Sequence, residues 1–319
     1  MKHTYFTCVI LVVLAGCSRK EETSSPASTP SGNQSSGSLT DARKGFQSKL
    51  VPANADREPV PEPPPALFRT VRYESPAGKL AAYLTPDPKD GKKHQAIIWI
   101  TGGDCNSIDD GCWKEGPPEN DQSASAFRKA GIVMMFPALR GGNDNPGTKE
   151  GFLGEVDDVI AAAGFLAGRP YVDPGRIYLG GHSTGGTLVL LVAECSDRFR
   201  AVFSFGPADN VARYGPEFLP FDQSNPREIE LRSPGRWLAS IKTPTFVFEG
   251  TEQGNIGSLQ AMARASKNPN AHFLAVRGAS HFSILAPATR VIAGKILSDT
   301  GATCNLTFTE QEMGKLLGK

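Results

Sequence analysis

Residues 177–194 read IYLGGHSTGGTLVLLVAE and combine a short apolar run with a longer one across a glycine-rich turn. The first run is typical of a buried strand, and the second is long enough for a helix. Between them, Gly181-His182-Ser183-Thr184-Gly185 matches the pattern Gly-x-Ser-x-Gly, which is weak evidence by itself. The order strand, sharp turn, helix predicts a nucleophile elbow, with the Ser183 hydroxyl standing at the end of a sheet.

Buried strands and amphipathic helices alternate on both sides of this stretch. Short apolar runs such as QAIIWITGG, GIVMMFP, AVFSFG, TFVFEG and HFLAVRG are separated by helical patterns such as EVDDVIAAAGFLA, IGSLQAMARAS and TRVIAGKIL. This alternation predicts an α/β fold, in which a mostly parallel central sheet is covered by helices on both faces.

The chain of 319 residues divides into four expected parts. Residues 1–16 are expected to form a signal peptide, and residues 17–67, rich in Ser, Thr, Pro and Gly, a disordered tether. The catalytic domain is expected over residues 68–300, with residues 207–243 as an insertion that forms a lid or the rim of a pocket. Residues 301–319 are expected to form a C-terminal tail.

The first residues, MKHTYFTCVILVVLAGCSRK, resemble a bacterial lipoprotein signal with the lipobox Leu14-Ala15-Gly16-Cys17. The apolar run is short for a membrane span and ends in small residues. The resemblance implies that Cys17 becomes the acylated N-terminus, and Ser18 after it favours the outer membrane, facing the periplasm. A plain secretory signal and an N-terminal anchor helix are the alternatives.

Charge and cysteine content narrow the class of protein further. A formal net charge of +1 provides no field that would attract nucleic acid. Outside the cytoplasm thiols can be oxidised, and the sequence CNSIDDGC favours a bridge between Cys105 and Cys112. Cys195 and Cys304 could form a second bridge, although four cysteines allow three pairings. Free buried thiols are the alternative to any bridge.

A nucleophilic serine needs a positioned base, most often a histidine. Of five histidines, His3 leaves with the signal, His94 lies in a charged turn and His272 opens a strand. His182 adjoins the serine, but neighbours in an elbow point apart. His281, in the loop after the last buried strand, is the predicted base.

The third member of a triad should be a carboxylate between Ser183 and His281 in the chain. Glu252, in the turn after the strand TFVFEG, is favoured because a loop carboxylate can reach the histidine loop. Glu249 at the strand end is the competitor, and Asp209 is a third candidate. The oxyanion donors are expected to be the backbone N–H groups of Thr184 and Gly103, with Gly102 as an alternative to Gly103.

Residues 68–300 resemble the α/β-hydrolase superfamily, and within it the branch of dienelactone hydrolases and prolyl oligopeptidase-type peptidases. The resemblance rests on FPALRGGNDNPG, GEVDDVIAAAGFLAGRPYVDPGRIYLGGHSTGG and GASHFS. It implies a triad of Ser183, a loop carboxylate and His281. In that branch the acid usually stands three residues after the strand-end glycine, where this chain has Gln253.

The sequence therefore predicts a serine hydrolase anchored to the envelope through the lipid on Cys17. Its expected substrates are small-molecule esters, with peptides second, since the tether leaves no room for a propeller domain. The rival hypothesis is a catalytically silent lipoprotein of the same fold that binds a ligand or an envelope partner. No cofactor, metal or nucleic acid is expected, and the sequence does not give the oligomeric state.

Overall fold

An eight-stranded sheet forms the centre of the computed structural model, which describes residues 34–35, 37–51 and 57–315. All of these residues belong to one compact unit. The strands, numbered in chain order, are β1 (Arg69–Ser75), β2 (Gly78–Leu84), β3 (His94–Ile100), β4 (Val133–Pro137), β5 (Val172–His182), β6 (Val202–Phe205), β7 (Thr245–Glu252) and β8 (Ala271–Ser280).

The sheet has the order β1-β2-β4-β3-β5-β6-β7-β8. The pairs β1/β2 and β2/β4 are antiparallel, and every pair from β4/β3 to β7/β8 is parallel. This confirms the predicted mostly parallel sheet. Because parallel strands share a direction, the carboxyl ends of β3, β5, β6, β7 and β8 lie at one edge, where functional loops of such sheets gather.

Helices cover both faces, as the alternating pattern predicts. They are α1 (Leu39–Arg43), α2 (Ser125–Lys129), α3 (Glu155–Ala167), α4 (Thr184–Cys195), α5 (Pro226–Leu231), α6 (Ile256–Ala265), α7 (Leu285–Ser298) and α8 (Glu310–Gly314). Apolar residues of α3, α4 and α6 pack into the core on one face, whereas those of α2, α7 and α8 pack into the core on the other. The buried Met313 brings part of the expected tail, residues 301–315, into the second core.

Residues 37–51 pack against the insertion, which differs from the expectation of a disordered tether over residues 17–67. Leu39 is fully buried, and the backbone N–H of Lys49 donates to Glu228 over 2.7 Å. Glu228 also forms an ion pair with Arg232, and both side chains are fully buried. The polar composition of this segment hid these contacts, because its order comes from a few apolar residues (Leu39, Ala42, Phe46 and Leu50) and from partners far along the chain.

The insertion itself is built from short pieces: α5 and several 3₁₀ turns between Val211 and Ser240. Leu231 and Trp237 bury its inner side in the first core. The segment is therefore a packed part of the domain at the end of β6.

The expected Cys105–Cys112 bridge is wrong, since both cysteines are free thiols in the structure. Cys105 packs into the core on one face of the sheet, and Cys112 packs into the core on the other. Cys195 and Cys304 are also free.

The predicted signal peptide and Cys17 lie outside the described residues. Across the part of the chain that the structure describes, we find no helix with the length and apolar character needed to cross a bilayer.

Candidate active site

Ser183 occupies the sharp turn between β5 and α4. Its backbone has φ 56° and ψ −115°, a left-handed conformation that costs energy for a residue with a side chain. The Ser183 N–H donates to the carbonyl of Phe205 over 2.8 Å, which holds the turn against β6. A Cβ on Gly185 would lie 2.3 Å from the carbonyl oxygen of Ile100, so only glycine permits this close approach. The predicted strand, turn and helix are all present.

His281 follows β8 directly and is paired with a buried carboxylate. Its Nδ1 lies 2.9 Å from Oε2 of Glu249. The Glu249 side chain is fully buried, and 9% of His281 is exposed. A carboxylate at Nδ1 fixes the ring and its tautomer and leaves Nε2 as the proton-transferring nitrogen.

Glu249, rather than the favoured Glu252, is the carboxylate that the structure places against His281. Oxygens of Glu249 also accept the N–H groups of Gly250 (2.7 Å) and Asn255 (2.9 Å), so the backbone orients the carboxylate. Glu252 is exposed; β7 continues through it, and its backbone pairs with Ser280. Sequence reasoning favoured Glu252 by ending the strand at Gly250, two residues too early.

The other positions considered for the acid lie elsewhere. Asp209 accepts hydrogen bonds from Ser258 (2.7 Å) and Arg213 (2.6 Å). Gln253, at the position where the resembled branch carries its acid, is exposed.

Gly206, at the end of β6, makes room for the pair. A Cβ on this residue would lie 2.4 Å from Cε1 of His281 and 2.8 Å from Oε2 of Glu249. Gly206 also has φ 58°, and its carbonyl accepts a hydrogen bond from the Asn255 side chain over 2.8 Å. Asn255 thus contacts both the carboxylate and the glycine beneath the imidazole.

The Ser183 hydroxyl and His281 Nε2 form no hydrogen bond with each other in the described structure. They lie at the same sheet edge, because the ring of His182, the neighbour of Ser183, is centred 4.5 Å from the ring of His281. Catalytic hydrogen bonds are often long in enzymes without substrate and shorten in the complex.

The predicted oxyanion donors flank the serine. Thr184 is the first residue of α4, and its hydroxyl donates to the carbonyl of Gly103 over 2.8 Å. The N–H of Gly102, the alternative donor, is used by Oε1 of Gln122 at 3.2 Å. Within residues 57–315 the N–H groups of Gly103 and Thr184 donate to no protein group. This arrangement favours Gly103 over Gly102 as the second donor.

His182 is fully buried and cannot serve as a second base. Its Nε2 donates to the backbone carbonyl of His281 over 2.9 Å. Burial, and next the nearby His281, lower the pKa of His182 to about 3. The ring is therefore neutral at ordinary pH, and its Nδ1 carries no proton and accepts a hydrogen bond.

Three residues of the site escaped sequence reasoning: Gln122, Asn255 and Tyr214. Gln122 bonds Gly102 and His182, and Asn255 bonds Glu249 and Gly206. The Tyr214 hydroxyl lies 2.6 Å from Thr187 Oγ1 and donates to the carbonyl of Ser183 over 3.4 Å. Burial raises the pKa of Tyr214, which therefore stays protonated. None of them belongs to a motif, since their partners are set by tertiary contacts.

Phe282 provides an apolar rim beside the histidine. Its ring centroid lies 4.9 Å from that of His281 and 5.4 Å from that of His182, and 44% of the residue is exposed. Among the described residues there is no cluster of three or more His, Cys, Asp or Glu side chains suited to a metal ion.

The sequence was also compared with known protein families. Residues 118–292, more than half of the chain, match the prolyl oligopeptidase family. The chain belongs to this family. The matched residues include the elbow, Glu249 and His281.

Curated relatives match short segments only. The dual function macrocyclase-peptidase POPB of Galerina marginata is 36% identical over 66 residues, which cover 19% of this chain and 9% of that protein. The chain thus spans about a tenth of that relative's length.

Solved structures confirm the α/β-hydrolase fold. A puromycin-hydrolyzing peptidase of Mycobacterium tuberculosis superposes with a TM-score of 0.59 at 22% identity, covering 75% of this chain and 40% of that one. The Pyrococcus furiosus esterase Pf2001 gives a TM-score of 0.57 at 16% identity, covering 76% of this chain and 98% of that one. At these identities the likeness concerns the fold.

Proposed function

We propose that this hydrolase cleaves small carboxylic esters through an acyl-enzyme on Ser183. One observation carries the proposal: a serine with a strained backbone stands at the sheet edge that also holds the buried His281–Glu249 pair. Strain at a serine and a carboxylate-oriented imidazole are together typical of an activated nucleophile.

In this mechanism Ser183 Oγ attacks the carbonyl carbon as His281 Nε2 takes the hydroxyl proton. Glu249 stabilises the imidazolium, and the N–H groups of Gly103 and Thr184 bind the oxyanion. The tetrahedral intermediate collapses, and the leaving alcohol takes the proton from His281. A water then attacks the acyl-enzyme with His281 as base, which releases the acid and restores Ser183.

Esters are the preferred class because their alkoxide leaving groups need less protonation than an amine. The exposed ring of Phe282 beside His281 offers apolar surface for the acyl or alcohol part. Small peptides or amides are the second candidate, which membership in a peptidase family supports.

A paired-substrate assay tests this choice. A p-nitrophenyl ester and a p-nitroanilide with the same acyl group are compared on the full chain, with Ser183→Ala as the control for background hydrolysis. The proposal predicts a kcat/KM for the ester at least ~10²-fold above that for the anilide. Equal or higher anilide turnover would favour the peptidase, and no turnover of either would favour the silent binding protein.

We also propose that the protein is attached to the bacterial envelope, on the outer membrane facing the periplasm, by lipid on Cys17. The support is the lipobox Leu14-Ala15-Gly16-Cys17 after a short apolar run. Metabolic labelling with a fatty-acid analogue, followed by envelope fractionation, checks it. The label should be present in the native chain and absent in Cys17→Ser; equal labelling of both would contradict the proposal.

A further inference from the structure

The sheet edge holds a continuous hydrogen-bonded path that the mechanism above does not use. It runs from the N–H of Gly102 to Oε1 of Gln122 (3.2 Å), then from Nε2 of Gln122 to Nδ1 of His182 (2.8 Å). From there Nε2 of His182 reaches the backbone carbonyl of His281 (2.9 Å). The path joins the loop after β3, the elbow and the loop after β8.

Each polar group on this path has a defined direction. A carbonyl oxygen can only accept, so Nε2 of His182 carries the hydrogen and Nδ1 must accept. Only the NH₂ group of Gln122 can donate to that nitrogen, which leaves its oxygen for Gly102. The same NH₂ group donates to Oδ1 of Asn120 over 2.8 Å. The amide orientation of Gln122 is thereby fixed from both ends.

The location of the path gives it a consequence for catalysis. Gly102 directly precedes the oxyanion donor Gly103, and the carbonyl held by His182 belongs to the residue that carries the catalytic imidazole. A donor must stay within tenths of an ångström of the developing oxyanion to stabilise it. The oxyanion loop and the His281 loop are therefore tied to each other through Gln122 and through His182 in the elbow.

We propose that Gln122 and His182 are positioning residues that hold the oxyanion loop and the His281 loop in register. The inference rests on the proposed function, because it assigns the path to catalysis at Ser183. The His182 ring packs against the His281 ring with centroids 4.5 Å apart, but the hydrogen bonds of Gln122 and His182 along this path go to the backbone of the two loops and to each other. They act through Gly102 and the backbone of His281, which are the groups that they bond.

Three variants of the full chain test the proposal. His182→Phe and Gln122→Met remove the hydrogen bonds at similar volume. His182→Gln keeps one donor and one acceptor at about the spacing of the two imidazole nitrogens. For each, kcat and KM for an activated ester are measured beside the rate of fluorophosphonate labelling of Ser183 and the melting temperature.

We expect kcat and the labelling rate to fall ~10- to 100-fold in His182→Phe and Gln122→Met, less than the ~10²- to 10³-fold typical when an oxyanion donor is removed, with KM within ~3-fold. His182→Gln should recover to within ~5-fold of the native protein. A kcat within ~2-fold of native in folded Gln122→Met, or no recovery in His182→Gln, would overturn the proposal. A structural role alone would lower the melting temperature and leave the kcat of the folded fraction unchanged.

The labelling of the native chain separates the two ideas. If native Ser183 does not react, the proposed function fails. If native Ser183 reacts and the variants react equally fast, only the positioning role fails.

Discussion

Oε2 of Glu249 lies 2.9 Å from Nδ1 of His281, and the same carboxylate accepts two backbone N–H groups at the end of β7. The contact joins β7 to the residue that directly follows β8, so the register of these two neighbouring strands sets the geometry of the pair. An exposed carboxylate three residues further on, Glu252, provides a matched control within the same segment.

Glu249→Gln should lower kcat/KM by about 10³- to 10⁴-fold, because the amide cannot stabilise the imidazolium and allows the wrong tautomer. Glu252→Gln should leave kcat/KM within ~3-fold. Steady-state ester hydrolysis checks both. The reverse ranking would return the acid role to Glu252.

Because of His182, the free energy of unfolding should decrease as the pH falls below about 6.5. Its folded pKa of about 3 is below the unfolded value of 6.5, so the unfolded state binds more protons between these values. The contribution is complete above pH 6.5 and is lost as the pH falls towards 3. Between pH 6.5 and pH 5 this loss lowers the free energy of unfolding by about 2 kcal/mol. In thermal melts, the melting temperature of His182→Gln should depend less on pH than that of the native protein. If the two plots of melting temperature against pH are parallel, the lowered pKa of His182 is refuted.

Glu194 should make stability depend on pH in the opposite direction to His182. It is buried on α4, and neither carboxylate oxygen has a hydrogen-bond partner among the residues that the structure describes. Burial raises the pKa of Glu194 well above 4.5. The folded state therefore holds the proton longer, and stability declines as the pH rises above 4.5.

The glutamine in Glu194→Gln cannot ionise, so the free energy of unfolding of this variant should rise relative to that of the native chain by about 1 kcal/mol per pH unit above pH 5. Urea melts at pH 5, 6 and 7 measure this gain. The control is Glu74→Gln, at a side chain that is 77% exposed, and it should show no such trend. A constant difference for Glu194→Gln would show that the carboxyl is ionised when folded.

Phe282 should determine preference for apolar substrates. Phe282→Ala removes the exposed ring beside His281, and we expect KM for a hexanoyl ester to rise ~5- to 10-fold, since apolar contact is lost equally in ground and transition states. KM for the acetyl ester should change less than ~2-fold. Phe218→Ala, at an exposed ring on the insertion, is the control. Equal effects on the two esters would argue against contact with the acyl chain.

Much of the fold follows from local sequence. The helix α3 spans the residues predicted from EVDDVIAAAGFLA, and the predicted sheet strands are present, because short apolar runs between turn residues specify buried parallel strands. The elbow followed from the order of strand, turn and helix. These features depend on residues close together in the chain.

What escaped prediction depends on distant contacts. Glu249 was ranked second because the strand was expected to end at Gly250, and the pairing of Glu252 with Ser280 that lengthens β7 is not visible locally. The packing of Lys49 on Glu228 joins residues 179 positions apart. Gln122 carries no motif at all, and its role arises only where three loops meet.

We expect Ser183 to be an activated nucleophile. The most direct test is labelling of the full-length protein, purified in mild detergent, with a fluorophosphonate probe and location of the adduct by mass spectrometry. We expect one adduct, on Ser183, which is absent in Ser183→Ala and forms at least ~10³-fold more slowly in folded His281→Ala. Unlabelled Ser183 in the folded native chain would contradict it.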